Sequence, residues 1–283
     1  MNFRGFFSAI VAACFFGLIP TLTKLSYYSG ANPALAILFR YTLAVLLIGI
    51  LIAFVKFNFS EIKKHLFLLF LISIGSICLT LGLLVSVLFI PVSMVALIFY
   101  TYPLIVLIYS IFSIKKINHI QIVGFIMAFV GLILALGPEF KSLNTIGIFL
   151  AFLAATGAAT VLITNEHLSK YFDAVTINAF TNFVCFVVFC FIIFIKFEIR
   201  LPSSNIGWSF VFFASFCYCI AFFSQLFAVK NIGSARTALL LYLEPIVAIV
   251  SAIILLNESL SNIQVIGISI VIVSLLIAAK RKI

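Results

Sequence analysis

Three ionisable side chains lie within long apolar stretches of this chain, and they are the first candidates for chemistry. Lys24, Arg40 and Glu244 are each flanked by apolar residues. A charge inside a bilayer costs about 3 kcal/mol or more, so such residues commonly bind ions, protons or charged ligands. The guanidinium of Arg40 could hold a carboxylate or phosphate through two hydrogen bonds. The carboxylate of Glu244 could carry a proton or contact a cation.

Each of these charges also has a structural interpretation. Glu244 could be a carboxylate that is bonded to a neighbouring helix. Arg40 could pair internally or extend to the membrane interface, and Lys24 lies so near the end of its stretch that it can reach the interface easily. Pro245 follows Glu244 and leaves the carbonyl about four residues earlier, near Leu241, without its helical donor. The sequence therefore predicts a kink beside Glu244.

Other polar side chains deep in apolar stretches are candidate substrate contacts. A buried hydroxyl or amide needs a hydrogen-bonding partner, which is either a bound molecule or a neighbouring helix. Asn178 and Asn182 are four residues apart and share one helical face. Together with Arg40 and Glu244, the predicted substrate-binding residues are Tyr100, Tyr102, Asn178, Asn182, Tyr218 and Tyr242.

The elements that must position these residues are transmembrane helices. The chain has 283 residues, of which 65% are hydrophobic and 8% charged. About 20 consecutive apolar residues cross a bilayer as a helix. The sequence predicts an all-α integral membrane protein with ten such helices, at roughly 5–27, 33–55, 67–88, 92–114, 120–137, 144–166, 175–196, 207–229, 235–256 and 262–279.

The positive charges are distributed unevenly between the two sides of the membrane. Cytoplasmic segments carry an excess of Lys and Arg. If the N-terminus is cytoplasmic, only Lys141, Lys196 and Arg200 lie on the opposite side. The cytoplasmic side then holds Arg4, Lys56, Lys63, Lys64, Lys115, Lys116, Lys170, Lys230, Arg236, Lys280, Arg281 and Lys282. This asymmetry predicts that both termini are cytoplasmic.

The two halves of the chain repeat each other. ALIFYTYPLIVLIYSIF at 96–112 resembles ALLLYLEPIVAIVSAII at 238–254, so that Pro103 aligns with Pro245 half a chain later. The predicted units are 1–140 and 141–283, with five helices each. Because five is odd, the second unit must start on the opposite side of the membrane. Two inverted repeats are typical of transporters with a site between the halves.

Small residues recur on one face of the last helix of each half. Gly124 and Gly131 are seven residues apart, and Gly267 and Ser274 repeat the spacing. Small side chains let helix backbones approach closely. This pattern favours tight packing between spans five and ten, although a dimer face remains an alternative.

Several classes of protein are disfavoured by the composition. The histidines His65, His119 and His167 are far apart, and no glycine-rich phosphate loop or metal-ligand spacing occurs. All six cysteines lie within apolar spans, where they act as small apolar residues. The net charge of +10 lies at the ends of membrane spans, which disfavours nucleic-acid binding. We expect neither enzymatic activity nor a cofactor or metal.

Two segments, one in each half, carry a distinctive set of residues. The first is FFGLIPTLTKLSYYSGANPALAILFRYTLA at 15–44, with a glycine late in span one, Lys24 before the loop, Pro33 at the start of span two and Arg40 seven residues later. The second is ALLLYLEPIVAIVSAIILLNESLSNIQVIGISIVIVSLLI at 238–277. There Glu-Pro lies in span nine, Asn-Glu ends it, and Gln-x-x-Gly opens span ten. In both segments the chain resembles the EamA family of the drug/metabolite transporter superfamily.

The resemblance implies ten helices, cytoplasmic termini, a central cavity and secondary transport. The chain departs from the family at the end of span four, where Lys115 and Lys116 replace an acidic residue, and at Tyr102, which precedes Pro103 where the second half has Glu244.

These observations predict a secondary transporter of small polar metabolites, such as amino acids or related organic ions, that works by alternating access. We expect it in a bacterial inner membrane, as a monomer or homodimer that contacts lipid and substrate. Two alternatives are a flippase-like carrier of lipid-linked polar headgroups and a membrane scaffold that transports nothing.

Overall fold

The computed structural model describes residues 3–52, 59–113, 119–137, 144–196, 198–256 and 261–279. Within these ranges the chain forms helices and no strand, which confirms the predicted all-helical class. The helices are α1 (Phe3–Tyr28), α2 (Pro33–Ile52), α3 (Phe59–Lys64), α4 (Leu66–Ser86), α5 (Val92–Phe99), α6 (Tyr102–Ser113), α7 (His119–Leu136), α8 (Thr145–Leu168), α9 (Ala174–Lys196), α10 (Asn205–Ile232), α11 (Ser234–Leu240), α12 (Leu243–Leu256) and α13 (Asn262–Ala279).

Nine spans in the described part of the chain are long and apolar enough to cross a membrane. Two of them consist of two helices each, α5 with α6 and α11 with α12. The tenth predicted span corresponds to α13, whose apolar part is shorter, at Asn262–Ile277. Large apolar side chains cover the outer surface; Phe194, for example, is 92% exposed. Such a surface suits contact with lipid rather than water.

Each of the two composite spans is interrupted shortly before a proline. Proline has no N–H to donate, so the helical ladder loses a bond at that point. At the second break, the Leu241 carbonyl instead accepts from the Glu244 N–H at 3.0 Å. At the first break, the Thr101 hydroxyl donates to the Ile98 carbonyl at 2.6 Å. The sequence predicts that the carbonyl near Leu241 lacks its helical N–H donor, and the helix is interrupted at that residue.

The helices pack in a small number of extensive pairs. Helix α1 packs on α10 and α12, α4 packs on α8, and α2 packs on α9. Helices α7 and α13 pack so closely that a Cβ atom at Gly131 would lie 2.9 Å from the Gly267 carbonyl oxygen. A Cβ at Gly267 would collide with the Ala135 backbone nitrogen. The predicted close packing of spans five and ten is therefore confirmed, and glycine permits it.

The connection before α4 contains the short helix α3. Within it, Lys64 donates to the Glu61 carboxylate at 2.7 Å, and this hydrogen bond lowers the pKa of Glu61. Some predicted features lie outside the described residues. These are the boundary between 140 and 141, the Asn257-Glu258 pair at the end of span nine, and the residues Lys56, Lys115, Lys116, Lys141, Lys280, Arg281 and Lys282.

Candidate functional site

Four of the predicted site residues meet where the two composite spans are broken. Tyr100 and Tyr102 lie at the first break, and Tyr242 and Glu244 at the second. The rings of Tyr100 and Tyr102 are 6.3 Å apart between centroids. The Glu244 carboxyl is an electrostatic neighbour of the Tyr100 and Tyr102 hydroxyls. We call these four residues the break group.

The position of Glu244 follows from the local backbone. It lies in the first turn of α12, where the exposed N–H groups of a helix favour a negative charge. The equivalent position in α6 holds Tyr102, so α6 has no acidic residue in its first turn. The two helix starts therefore differ by one carboxylate, as the aligned repeats predict.

Helix α1 forms a wall beside the break group. At Gly17, a Cβ atom would lie 2.5 Å from the Glu244 carbonyl oxygen and 2.7 Å from the Cβ of Val247. The backbone of α1 thus lies directly against the start of α12. Only glycine permits this approach, and it fixes the position from which Glu244 projects.

Tyr242 differs from the other members of the break group in the surroundings of its hydroxyl. Its side chain is fully buried, at 0% exposure. Its ring contacts Phe125 edge-to-face, with centroids 6.3 Å apart. Within the part of the chain that the structure describes, its hydroxyl has no hydrogen-bonding partner. A buried hydroxyl without a partner costs about 1–3 kcal/mol, so this hydroxyl does not stabilise the fold.

Replacing Tyr242 with Phe should therefore stabilise the protein. The variant removes the unpartnered hydroxyl and keeps the ring, so we expect the midpoint of thermal unfolding in detergent to rise by several degrees. Tyr41→Phe is the matched control, because the Tyr41 side chain is also buried but its hydroxyl lies 2.9 Å from Thr80 Oγ1. That variant should unfold at a lower temperature. A lower midpoint for Tyr242→Phe would show that its hydroxyl is satisfied in the folded protein.

The other four predicted site residues form a second cluster, between α2, α9 and α10. The Arg40 guanidinium carbon lies 5.1 Å from the centroid of the Tyr218 ring, close enough for a cation–π interaction. The Tyr218 hydroxyl donates to Asn182 Oδ1 at 3.0 Å. Asn182 Nδ2 in turn donates to the Asn178 carbonyl at 3.0 Å and to Asn178 Oδ1. We call Arg40, Asn178, Asn182 and Tyr218 the arginine group.

Helix α1 contacts both groups near its middle. Phe16 packs against the core around the break group and also against the core around Tyr218. Its ring centroid is 6.5 Å from that of Tyr218, while the next residue, Gly17, contacts Glu244. Arg40 and Glu244 thus each have their own neighbours. The structure places the eight predicted residues in two groups rather than in one.

Two polar contacts are absent from the predicted set. Tyr41 lies beside Arg40 in the chain, and its ring centroid is 5.6 Å from that of Tyr218. Its hydroxyl lies as deep in a span as those of the predicted tyrosines, which is the signal that could have identified it. Glu166 accepts hydrogen bonds from the backbone N–H and the hydroxyl of Ser234, at the start of α11. The signal for that contact is the Gly233-Ser234 pair, because serine and glycine are common at helix starts.

The remaining candidates from the sequence are Lys24, the possible metal ligands and the cysteines. Lys24 is exposed near the end of α1. Among the described residues, no cluster of three or more His, Cys, Asp or Glu side chains could hold a metal ion. The cysteines of the described part are all free thiols within helices, and Cys185 and Cys217 are buried.

A helical bundle with nine apolar spans in its described part, two of them broken and one of these breaks carrying a carboxylate, is a multi-pass membrane protein. The sequence profile of the EamA-like transporter family matches the chain twice, at residues 3–137 and 145–279. The chain belongs to this family, and with it to the transporters of the drug/metabolite superfamily.

The fold is shared with a solved structure. A chain described only as "Crystal structure of protein" superposes with a TM-score of 0.81 at 13% sequence identity, covering 98% of this chain and 98% of that one. At this identity the likeness concerns the fold alone. No curated protein matches the sequence.

Proposed function

We propose that this protein is a secondary transporter that moves small polar metabolites, such as amino acids or related organic ions, by alternating access. The observation that carries the proposal is the break group. Two spans are interrupted at Tyr100 and Tyr242, which occupy equivalent positions in the two repeats, and a carboxylate projects from the second break. Broken helices expose backbone polar groups within the membrane, where transporters commonly bind substrates and coupling ions.

An inverted repeat is supported by reciprocal contacts in the two halves. A Cβ at Gly5 would lie 2.6 Å from Asn231 Cβ and 2.7 Å from Ile232 Cγ2. Gly147 is the equivalent of Gly5 in the second repeat, and it is similarly close to positions 89 and 90, which are the equivalents of 231 and 232 in the first. In each half, therefore, an equivalent glycine packs against the equivalent segment of the other half. The proposed units are 1–140 and 141–283, with α13 as the tenth membrane helix.

In this proposal the break group binds the substrate. Glu244 would contact an ammonium group or carry the coupled proton, and Tyr100 and Tyr102 would supply hydroxyls around it. The unpartnered hydroxyl of Tyr242 would gain a partner when the substrate binds. The arginine group is separate from the break group, and we assign it a different role below.

The proposed location is a bacterial inner membrane, with both termini in the cytoplasm. The support is the charge asymmetry of the sequence, because the predicted topology puts twelve Lys and Arg residues on the cytoplasmic side and three on the other. Amino acids and organic ions are abundant on the cytoplasmic side of such a membrane, and they do not cross it unaided.

The substrate class can be tested by ligand-induced stabilisation. A ligand that binds only the folded state raises its apparent stability by an amount that grows with concentration. We expect amino acids or related organic ions to raise the unfolding midpoint of the purified wild-type protein, and to have less effect on Glu244→Gln. Equal stabilisation of both proteins would remove Glu244 from substrate binding.

A further inference from the structure

A cleft of about 330 Å³ lies between α2, α9 and α10. Its walls include Ala44 and Leu47 of α2, Asn178 and Asn182 of α9, and Phe216 of α10. Ile50, at one edge, is 64% exposed. The cleft therefore opens on the outer surface of the bundle, which faces lipid in a membrane protein.

The deep wall of the cleft carries the polar side chains. Asn178 and Asn182 are only 3% and 1% exposed, although both line the cleft. Arg40 lies four residues before Ala44, so it is on the same face of α2, one turn nearer the N-terminal end of that helix. The guanidinium stands over Tyr218, whose hydroxyl is bonded to Asn182.

Arg40 has no acidic partner among the residues that the structure describes. In that part of the chain, Glu61 pairs with Lys64, Glu198 pairs with Arg200 and Glu166 bonds to Ser234. Asp173 accepts from the Thr176 N–H, and Glu244 belongs to the break group. The Tyr218 ring offsets only part of a full positive charge. A cation within a membrane span is costly unless an anion approaches it.

We propose that this cleft binds one anionic phospholipid of the surrounding membrane, with its phosphate on Arg40 and one acyl chain along the cleft. A guanidinium binds phosphate through two parallel hydrogen bonds, which suits a headgroup. The lipid is a bound ligand of the arginine group, and its binding does not depend on the transport proposed above.

The shape of the cleft favours a lipid over a soluble anion. Its volume is near the lower end of the range of about 300–1,000 Å³ for small-molecule sites, which suits one acyl chain rather than a whole lipid. Leucine, isoleucine and phenylalanine side chains form most of the lining, which on α2 begins at Ala44, one turn after Arg40, and continues toward the C-terminal end of the helix. A small soluble anion would leave this apolar wall uncovered, whereas an acyl chain covers it.

Native mass spectrometry of the purified full chain tests this proposal. The protein is mixed with dioleoyl phosphatidylglycerol, which is anionic, or with dioleoyl phosphatidylcholine, which is zwitterionic, at equal concentrations. We expect one phosphatidylglycerol to bind wild type at least about tenfold more tightly than phosphatidylcholine, a difference of about 1.4 kcal/mol. Inorganic phosphate alone should not displace the bound lipid.

Two pairs of variants locate the site. Arg40→Gln should lose the preference for phosphatidylglycerol, while Arg200→Gln should keep it, because the Arg200 side chain is 70% exposed and lies beside Glu198. Leu47→Trp should fill the cleft and weaken binding of both lipids, while Leu46→Trp should not, since Leu46 is 63% exposed and lies outside the cleft lining.

The outcomes separate clearly. Equal affinity of wild type for both lipids would overturn the proposal, as would an unchanged preference in Arg40→Gln. Displacement by inorganic phosphate would assign Arg40 to a soluble anion instead. If Arg40→Gln does not fold, the Leu47→Trp and Leu46→Trp pair still decides whether the cleft is the binding site.

Discussion

Replacing Glu244 with Gln should reduce proton-driven uptake into liposomes to the level of empty liposomes, while exchange of substrate across the membrane continues. Glutamine keeps the size and the polarity of the side chain. It cannot bind and release a proton. A step that needs a proton should therefore stop, whereas a step in which one substrate replaces another should not.

Glu198→Gln is the matched control for this experiment. It makes the same chemical change at a carboxylate whose side chain is 77% exposed and that pairs with Arg200. This control should transport as wild type does. Uptake by Glu244→Gln with an unaltered dependence on the proton gradient would remove Glu244 from coupling.

Replacing Gly17 with Val should have the second largest effect. Its Cβ would lie 2.5 Å from the Glu244 carbonyl oxygen, and a backbone atom cannot move aside as a side chain can. Helix α12 would have to shift at its first turn, which is where the break group is assembled. Overpacking of this kind costs about 1–3 kcal/mol. We expect uptake to fall at least about tenfold and the unfolding midpoint to fall as well.

Gly49→Val is the control for this substitution. Gly49 is also in a membrane helix, but no heavy atom lies within 4 Å of the place where its Cβ would be. Its uptake rate and unfolding midpoint should stay near those of wild type. If Gly17→Val transports normally, the contact between α1 and α12 does not position the break group.

The sequence predicts the helices and their interruptions well, because the signals are local. Apolar runs of about 20 residues identify the spans, and Pro245 locates the break at Leu241 through the hydrogen bond that it cannot make. Helical spacing likewise identifies the small residues that bring α7 against α13. The repeat itself shows that Tyr100 and Tyr242 are equivalent.

The arrangement of the site could not be predicted in the same way. A sequence gives the depth of a residue and the face of its helix, but not which other helix lies opposite. Arg40 and Glu244 are both charges within spans, yet they belong to two separate groups, and Phe16 of α1 packs against the cores around both. That separation depends on α1 packing against both α10 and α12, which is a contact between distant segments. Whether the Tyr242 hydroxyl has a hydrogen-bonding partner depends on every residue that packs around it.

Uptake by the purified protein in sealed liposomes tests the central claim most directly. Liposomes are loaded with an unlabelled compound that stabilises the folded protein, and the same compound in labelled form is added outside. A carrier that alternates between the two sides should accumulate the label transiently above its outside concentration, and an added proton gradient should change the extent. The absence of any accumulation beyond that in protein-free liposomes, for every stabilising compound, would contradict the assignment as a secondary transporter.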